Sequence, residues 1–104
     1  MKIIYSPAAV EDLKDIKKYI SLNLQNNSAA KNITSEILKS CHRLTDFPLM
    51  GVSLKAKLNI NTDYRCLFCK NYIIFYKAER EIKIIRILDG RTDYLKELFS
   101  QSIE

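Results

Sequence analysis

The sequence predicts a single α+β domain over residues 1–104, in which an opening strand precedes a helical hairpin packed on a small antiparallel sheet. Three observations predict this class. The first half has two stretches with apolar residues at helical spacing, the second half has three β-branched and aromatic runs, and the 104 residues are 47% apolar and 28% charged. A chain of this length builds one core and no second domain.

The opening strand and the first helix come from residues 2–24. The run KIIY is short and β-branched, and Ser6 followed by Pro7 supplies a helix cap and a proline suited to the first helical position. The expected buried stripe of this helix steps by three and four residues: Leu13, Ile16, Ile20 and Leu24.

A turn-rich segment, NLQNNS, separates the first helix from a second, for which Ser28 is the expected cap. The apolar stripe of the second helix comprises Ala30, Ile33, Ile37, Cys41 and Leu44. Pro48 and Gly51 end the helical pattern, and we expect Phe47 to fill part of the core. Residues 52–62 show no clear period and are interpreted as a loop.

Three strands and a short helix complete the chain. The runs YRCLFC, YIIFYKA and IKIIRIL are separated by KN and ERE, as in an antiparallel meander, and YLKELF is a short C-terminal helix. Strict alternation assigns two arginines to mostly apolar faces: Arg65 with Leu67 and Cys69, and Arg86 with Ile82, Ile84 and Leu88.

Because the opposite strand faces are also largely apolar, the sheet needs cover on both sides, and the two long helices cover only one. If the second face stays exposed, it marks a protein-binding surface. Alternatively, the C-terminal helix folds back over it. Both interpretations remain open at this point.

Composition excludes several functional classes. The 17 basic and 12 acidic residues give a net charge of +5 that is spread along the chain, which favours an anionic partner but does not resemble a polybasic tail. The 2 glycines leave no P-loop or Rossmann motif. No apolar run approaches the ~20 residues of a membrane span and no signal peptide is evident, so we expect a cytoplasmic protein without membrane contact.

The 3 cysteines, Cys41, Cys66 and Cys69, are odd in number, which agrees with a reducing compartment. Within one strand Cys66 and Cys69 point to opposite faces, and no second ligand pair exists. We therefore expect no disulfide, no metal and no other cofactor. His42 and Cys41 are helical neighbours that diverge by about 100°, which disfavours a catalytic pair.

Polar side chains gather near the predicted strand ends: Arg65, Arg86, Arg91, Asp93 and Tyr94. Arginines grip phosphates bidentately and a tyrosine stacks on a base or donates a proton, so these residues are candidate contacts to a target or to nucleic acid. Spacing alone favours a structural interpretation, in which Arg86 and Arg91 form ion pairs with Asp89 and Asp93 and tie the last helix to the sheet.

Four segments in this order, YSPAAVEDLKDIKKYI, LTDFPLMG, YRCLFCKNYIIFYKAE and IIRILDGRTDYLKELF, closely resemble the RelE/ParE superfamily of bacterial type II toxin-antitoxin (plasmid stabilisation) toxins. The resemblance covers almost the whole chain. It implies a toxin neutralised by an antitoxin that wraps over it, with operator DNA contacted only through that complex. It also places Arg86, Arg91, Asp93 and Tyr94 on the functional side.

Two activities divide the superfamily. RelE-like members cleave messenger RNA on the ribosome, and ParE-like members inhibit DNA gyrase. Ribonuclease-type members often carry an arginine just after the tyrosine that begins the strand YIIFYKA, and the present chain has Ile73 at that point. Some of these nucleases also use a histidine that has no counterpart in this chain. The resemblance therefore favours the ParE side.

Two alternatives to gyrase inhibition are retained. One is a ribosome-dependent endoribonuclease in which Arg65 and Arg91 act on phosphate and Tyr94 lies near the base or the leaving group. The other is an inactive member that acts only as a binding module.

The expected antitoxin surface follows from the apolar sheet face beside arginines, which suits an acidic amphipathic segment that is disordered until bound. We expect it to comprise Tyr72, Ile74 and Tyr76 of the sheet with Leu95 and Phe99 of the last helix.

Overall fold

A computed structural model describes residues 1–23 and 25–99 of the chain. Its elements are β1 (Ile3–Tyr5), α1 (Pro7–Asn23), α2 (Asn27–Arg43), β2 (Val52–Ser53), α3 (Leu54–Leu58), β3 (Arg65–Cys69), β4 (Tyr72–Ala78), β5 (Ile82–Asp89) and α4 (Tyr94–Phe99). The predicted α+β class is confirmed. Leu24, expected in the first stripe, lies outside the described residues.

The five strands form one sheet in the order β1-β5-β4-β3-β2. The predicted meander is β3 to β5, with antiparallel pairs such as Cys66 with Phe75 and Ile74 with Ile87. The two short strands extend it at its edges, where β1 runs parallel to β5 and β2 runs antiparallel to β3.

The helical hairpin covers one face of the sheet. Ser6 caps α1 as predicted, since the Ala9 amide donates to its Oγ at 3.0 Å. The stripes of α1 and α2 bury Ile16, Ile20, Ile37, Cys41 and Leu44 against a strand face that includes Tyr72, Ile74, Tyr76, Ile82 and Ile84. This is the principal core.

Two local predictions between residues 26 and 58 are wrong. Asn26, not Ser28, caps α2, because its side chain accepts a hydrogen bond from the Ala29 amide at 3.0 Å. Residues 52–58 are not a loop but contain β2 and α3, with Ser53 as the α3 cap. A strand of 2 residues and a helix of 5 are too short to produce a recognisable period.

The prediction that Phe47 fills the core is also wrong, because its side chain is 64% exposed. Leu44, which is fully buried, takes the core position at the end of α2. The Phe47 amide still donates to the Arg43 carbonyl at 3.0 Å, so the chain turns once more after α2 and carries Phe47 outward.

The second face of the sheet is covered by the chain itself, as the alternative interpretation held. Leu98 of α4 and Leu54 of α3 are buried there with Cys66, Ile73, Phe75 and Leu88. Two ring contacts add to this layer, Tyr94 on Phe75 at 5.7 Å and Phe99 on Tyr64 at 5.8 Å between centroids. The sheet therefore has a core on each side.

A β-bulge in β5 breaks the predicted alternation of that strand. Tyr76 pairs with Ile84 but Phe75 pairs with Arg86, which leaves Ile85 as the extra residue. Ile82 and Ile84 face the helical hairpin as predicted, whereas Leu88 belongs to the opposite core. The predicted common face of Ile82, Ile84 and Leu88 is therefore wrong beyond the bulge.

The first turns of α1 satisfy the polar groups that the bulge leaves without strand partners. The Ser6 hydroxyl donates to the Ile85 carbonyl at 2.6 Å. Asp12, in a buried position of α1, accepts from the Ile87 amide at 2.9 Å and from the Arg86 guanidinium at 2.8 and 2.9 Å. Because the Arg86 side chain is only 17% exposed, this bidentate ion pair is largely desolvated.

We predict that Asp12→Ala lowers the free energy of unfolding by about 3 kcal/mol, because it leaves the Arg86 charge and the Ile87 amide without their acceptor. Urea denaturation followed by circular dichroism measures the change. The matched control is Glu11→Ala, since Glu11 lies one residue away but pairs with Lys14 on the surface at 3.6 Å. Equal losses for the two variants would contradict the assignment.

Candidate functional site

Arg65, a candidate contact to the target, is engaged within the chain. Its guanidinium donates to the Gly51 carbonyl at 2.7 Å and to the Leu49 carbonyl at 3.3 Å. Its Nε is buried and has no hydrogen-bond partner among the described residues. Arg65 thus fixes the backbone that follows α2 instead of projecting toward solvent.

Tyr76 fixes the same backbone from the interior of the sheet. Its hydroxyl donates to the Pro48 carbonyl and accepts from the Gly51 amide, both at 2.9 Å. At Gly51 a Cβ atom would lie 2.6 Å from that hydroxyl and 2.7 Å from the Cys66 carbonyl, so only glycine fits this close approach. Two side chains from β3 and β4 therefore hold the segment in place.

The segment held this way, residues 46–50, is here named the apolar loop. Its large apolar side chains point away from the anchors: Phe47 is 64% exposed, Leu49 68% and Met50 41%. Sequence reasoning missed this surface because it assigned Phe47 to the core. The available signal was three large apolar residues without any period, in a segment that contains Pro48 and ends at Gly51.

Arg86 and Arg91 both form ion pairs, as the structural interpretation held. Asp89, the partner of Arg91, was predicted, whereas Asp12, the partner of Arg86, was not. Arg91 chelates Asp89 through Nε at 2.9 Å and through a terminal nitrogen at 2.7 Å. The hydrogen bonds that Arg91 donates to the Asp89 carboxylate lower the pKa of Asp89 and raise the pKa of Arg91. Arg86 pairs with Asp12, which raises its pKa, and lies 3.6 Å from Glu97 of α4.

The remaining two members of the predicted cluster differ in burial. Asp93 is exposed, and its backbone carbonyl accepts from the Glu97 amide at 3.2 Å in the first turn of α4. Tyr94 is half-buried, with its ring on Phe75.

The structure does not bring Arg65, Arg91 and Tyr94 together as one site. In the strand register, Arg65 of β3 lies opposite Tyr76 of β4. Asp89 of β5, which forms the ion pair with Arg91, lies opposite Tyr72 of β4. These two positions of β4 are four residues apart, roughly 13 Å along the strand.

The end of β5 opens on a depression whose charged lining residues are all acidic: Asp12, Asp15, Asp89 and Glu97. Asp12, Asp89 and Glu97 lie against Arg86 or Arg91, so these carboxylates already occupy the guanidinium groups that a phosphate would have to engage. The strand end is therefore poorly suited to the phosphate-binding role that its arginines suggested.

The prediction that Tyr72, Ile74 and Tyr76 lie on an uncovered face is wrong. Ile74 and Tyr76 are fully buried and Tyr72 is 6% exposed, all under the helical hairpin. Leu95 is half-buried in α4, and Phe99 stacks on Tyr64. A partner that binds the folded chain therefore contacts surfaces other than the buried Tyr72, Ile74 and Tyr76.

One such surface is a groove along α2, here named the α2 groove. It is lined by Tyr5, Lys31, Thr34, Ser35, Leu38, Lys39, His42 and Arg43. Every charged residue in this lining is basic, and Leu38, which is also part of it, is 43% exposed. Tyr5 belongs to β1, the strand at one edge of the sheet.

The cysteines lie in the two cores, with Cys69 on the hairpin side and Cys66 on the α4 side. The expected opposite orientation is confirmed. All three are free and buried, and burial raises the pKa of Cys41 to about 12, so this thiol is protonated at neutral pH. Among residues 1–23 and 25–99, no group of three or more His, Cys, Asp or Glu side chains is placed to hold a metal ion.

No helix in the described part of the chain is long and apolar enough to cross a membrane. A helical hairpin on one face of a five-stranded sheet, with a short C-terminal helix on the other, is the fold expected for the RelE/ParE superfamily. The class of fold is therefore the one that the resemblance to this superfamily implied.

Comparison with known proteins specifies the family. Residues 3–94 match the family described as ParE toxin of type II toxin-antitoxin system, parDE. The chain belongs to this family, which confirms the ParE side of the resemblance and identifies the protein as a type II toxin.

A solved structure titled "Chromosomal ParDE TA system from P. aeruginosa" contains a chain of similar fold. The TM-score is 0.68 at 19% sequence identity, and the match covers 86% of this chain and 95% of that chain. At this identity the likeness shows the fold. No individually curated protein matches the chain. Family membership implies a cognate antitoxin as partner.

We predict that Tyr76→Phe lowers the free energy of unfolding by about 1–3 kcal/mol, because the Gly51 amide loses its acceptor in a buried place. Hydrogen exchange of the Gly51 amide, measured by NMR, should accelerate as the apolar loop loosens. Tyr19→Phe is the matched control, since Tyr19 is 54% exposed. An unchanged exchange rate at Gly51 would show that the hydroxyl does not hold the loop.

Proposed function

We propose that this toxin arrests growth by binding DNA gyrase, with no covalent chemistry of its own, and that a cognate acidic antitoxin neutralises it. The observation that carries the proposal is the use of the candidate arginines within the fold. Arg65 holds the apolar loop, Arg86 clamps α1 to β5, and Arg91 chelates Asp89. The two arginines that the nuclease alternative assigns to phosphate, Arg65 and Arg91, are thus engaged within the fold.

Ile73 supports the same choice. It stands where ribonuclease-type relatives often have an arginine, and it is 3% exposed in the core between the sheet and α4. An arginine there would place a charge among apolar side chains. Membership of the ParE family adds independent support, and gyrase as the target requires a toxin that acts in the cytoplasm.

The test of the target is a supercoiling assay with purified gyrase and toxin. We expect loss of supercoiling at toxin excess. We expect Arg91→Ala with Tyr94→Phe to leave inhibition unchanged, because Arg91 pairs with Asp89 and the Tyr94 ring packs on Phe75 within the fold. Full gyrase activity at toxin excess would refute gyrase as the target. Primer extension on translated message tests the rival, since a ribosome-dependent nuclease produces cuts within codons. Normal growth of a host without antitoxin would indicate an inactive binding module.

For the antitoxin, the α2 groove replaces the sheet face as the proposed docking site. Its basic residues suit an acidic segment, and Leu38 and Tyr5 offer apolar area. The sheet ends at β1, and an extended peptide that pairs with an edge strand gains main-chain hydrogen bonds. An acidic tail that orders on binding satisfies both requirements.

We predict that Leu38→Ser raises the dissociation rate of a C-terminal antitoxin peptide by about tenfold, whereas Lys31→Glu mainly slows association. Apolar burial determines how long the complex lasts, and charge guides the encounter, so added salt should also slow association. Surface plasmon resonance at several salt concentrations separates the two rates. The control is Leu22→Ser, on the exposed side of α1. Unchanged dissociation for Leu38→Ser would remove the α2 groove from the interface.

A further inference from the structure

The apolar loop combines two properties that rarely occur together in a surface loop. Its backbone is fixed by buried polar groups, and its side chains are placed in water. Besides the Tyr76 and Arg65 contacts, the Met50 amide donates to the Phe47 carbonyl at 3.1 Å, which closes a turn within the loop. Exposed loops are ordinarily mobile and polar.

Holding Phe47, Leu49 and Met50 in water gives the folded chain little apolar stabilisation, since this contribution comes from removing apolar surface from water. The arrangement does favour association. A loop that is rigid before binding loses less conformational entropy when it binds, and phenylalanine and methionine are enriched at protein interfaces. The fixed backbone of the apolar loop therefore indicates that the loop binds another protein.

We infer that the apolar loop inserts into an apolar pocket, rimmed by acidic groups, on the folded protein that this toxin inhibits, with Phe47 as the anchor. The inference deepens the proposed function and rests on its claim that the toxin acts by binding a protein target. It assigns that binding to residues 46–50, away from the arginines at the end of β5.

The shape of the loop favours a folded target as the occupant. Phe47 and Leu49 are 64% and 68% exposed, so the two side chains project from the loop into solvent. Such a projection fits a preformed concave site, whereas a disordered antitoxin segment gains more from a groove such as the one along α2.

Charge favours a target with an acidic rim and disfavours a second copy of the chain. From residue 42 to residue 58 the chain carries Arg43, Lys55 and Lys57 against one acid, Asp46, a balance of 3 − 1 = +2 at neutral His42. Two copies of a chain with net charge +5 repel each other when these regions meet.

The position of the loop also accounts for neutralisation. The α2 groove ends at His42 and Arg43, and Phe47 follows one turn later. An antitoxin seated in the groove stands beside the loop and excludes a bulky target from it. The two binding events then compete although they use different side chains.

The experiment compares the wild-type toxin with Phe47→Ser/Leu49→Ser and with the control Leu22→Ser, whose side chain is 64% exposed, equal to Phe47. Growth arrest is titrated by induced expression in a host without antitoxin, gyrase inhibition by the supercoiling assay, and antitoxin binding with the C-terminal peptide. Thermal unfolding establishes that each variant is folded.

We expect the loop variant to need about 30-fold more toxin for half-maximal growth arrest, the effect of losing a hot spot of about 2 kcal/mol. Its antitoxin affinity and unfolding temperature should match those of the control. Growth arrest at wild-type potency overturns the inference, as does loss of antitoxin binding with potency retained. A wild-type dimer, detected by analytical ultracentrifugation, that becomes a monomer in the loop variant would also overturn it, because the loop would then bind a second copy of the chain. If the wild type arrests growth without inhibiting gyrase, the proposed target fails, while growth arrest still tests the loop.

Discussion

The carboxylate of Asp12 is the group on which the rest of this structure depends. It is buried in α1, and it accepts three hydrogen bonds from the bulged part of β5, two of them from Arg86. Without the bulge the strand would continue its alternation, and without Asp12 the bulged edge would leave an amide and a guanidinium unpaired in a largely desolvated place. The interaction of Asp12 with Arg86 and the Ile87 amide therefore fixes how the helical hairpin lies on the sheet. Because Arg86 also lies 3.6 Å from Glu97, it connects α1 with α4.

A second set of interior polar groups, on Tyr76 and Arg65, fixes the backbone of a surface loop. The Tyr76 hydroxyl and the Arg65 guanidinium lie at neighbouring positions of β4 and β3, and both hydrogen bond to the backbone of residues 48–51. The sheet thereby determines the conformation of a surface loop that it does not cover. Rigid elements that position loops are the usual basis of binding sites, and here the loop presents apolar side chains instead of catalytic ones.

The two surfaces proposed for binding differ in their chemistry. The α2 groove is basic and includes the exposed Leu38, which suits an acidic segment that orders on binding, whereas the exposed side chains of the apolar loop suit a preformed pocket. A toxin that must be released from one partner to engage another benefits when the two sites are adjacent but distinct. Competition then requires no conformational change in the toxin.

The sequence by itself determined the fold class, the family, the order of the main elements and the inner stripes of both long helices, because apolar periods, a Ser-Pro helix start and β-branched runs are local signals. It did not determine which face of β5 Leu88 joins, the partner of Arg86 or the exposure of Phe47. Those depend on a bulge, on a carboxylate 74 residues away and on a turn held by Tyr76 and Arg65. Only the tertiary structure decides such features, since each arises where groups distant in the chain satisfy one another's hydrogen bonds.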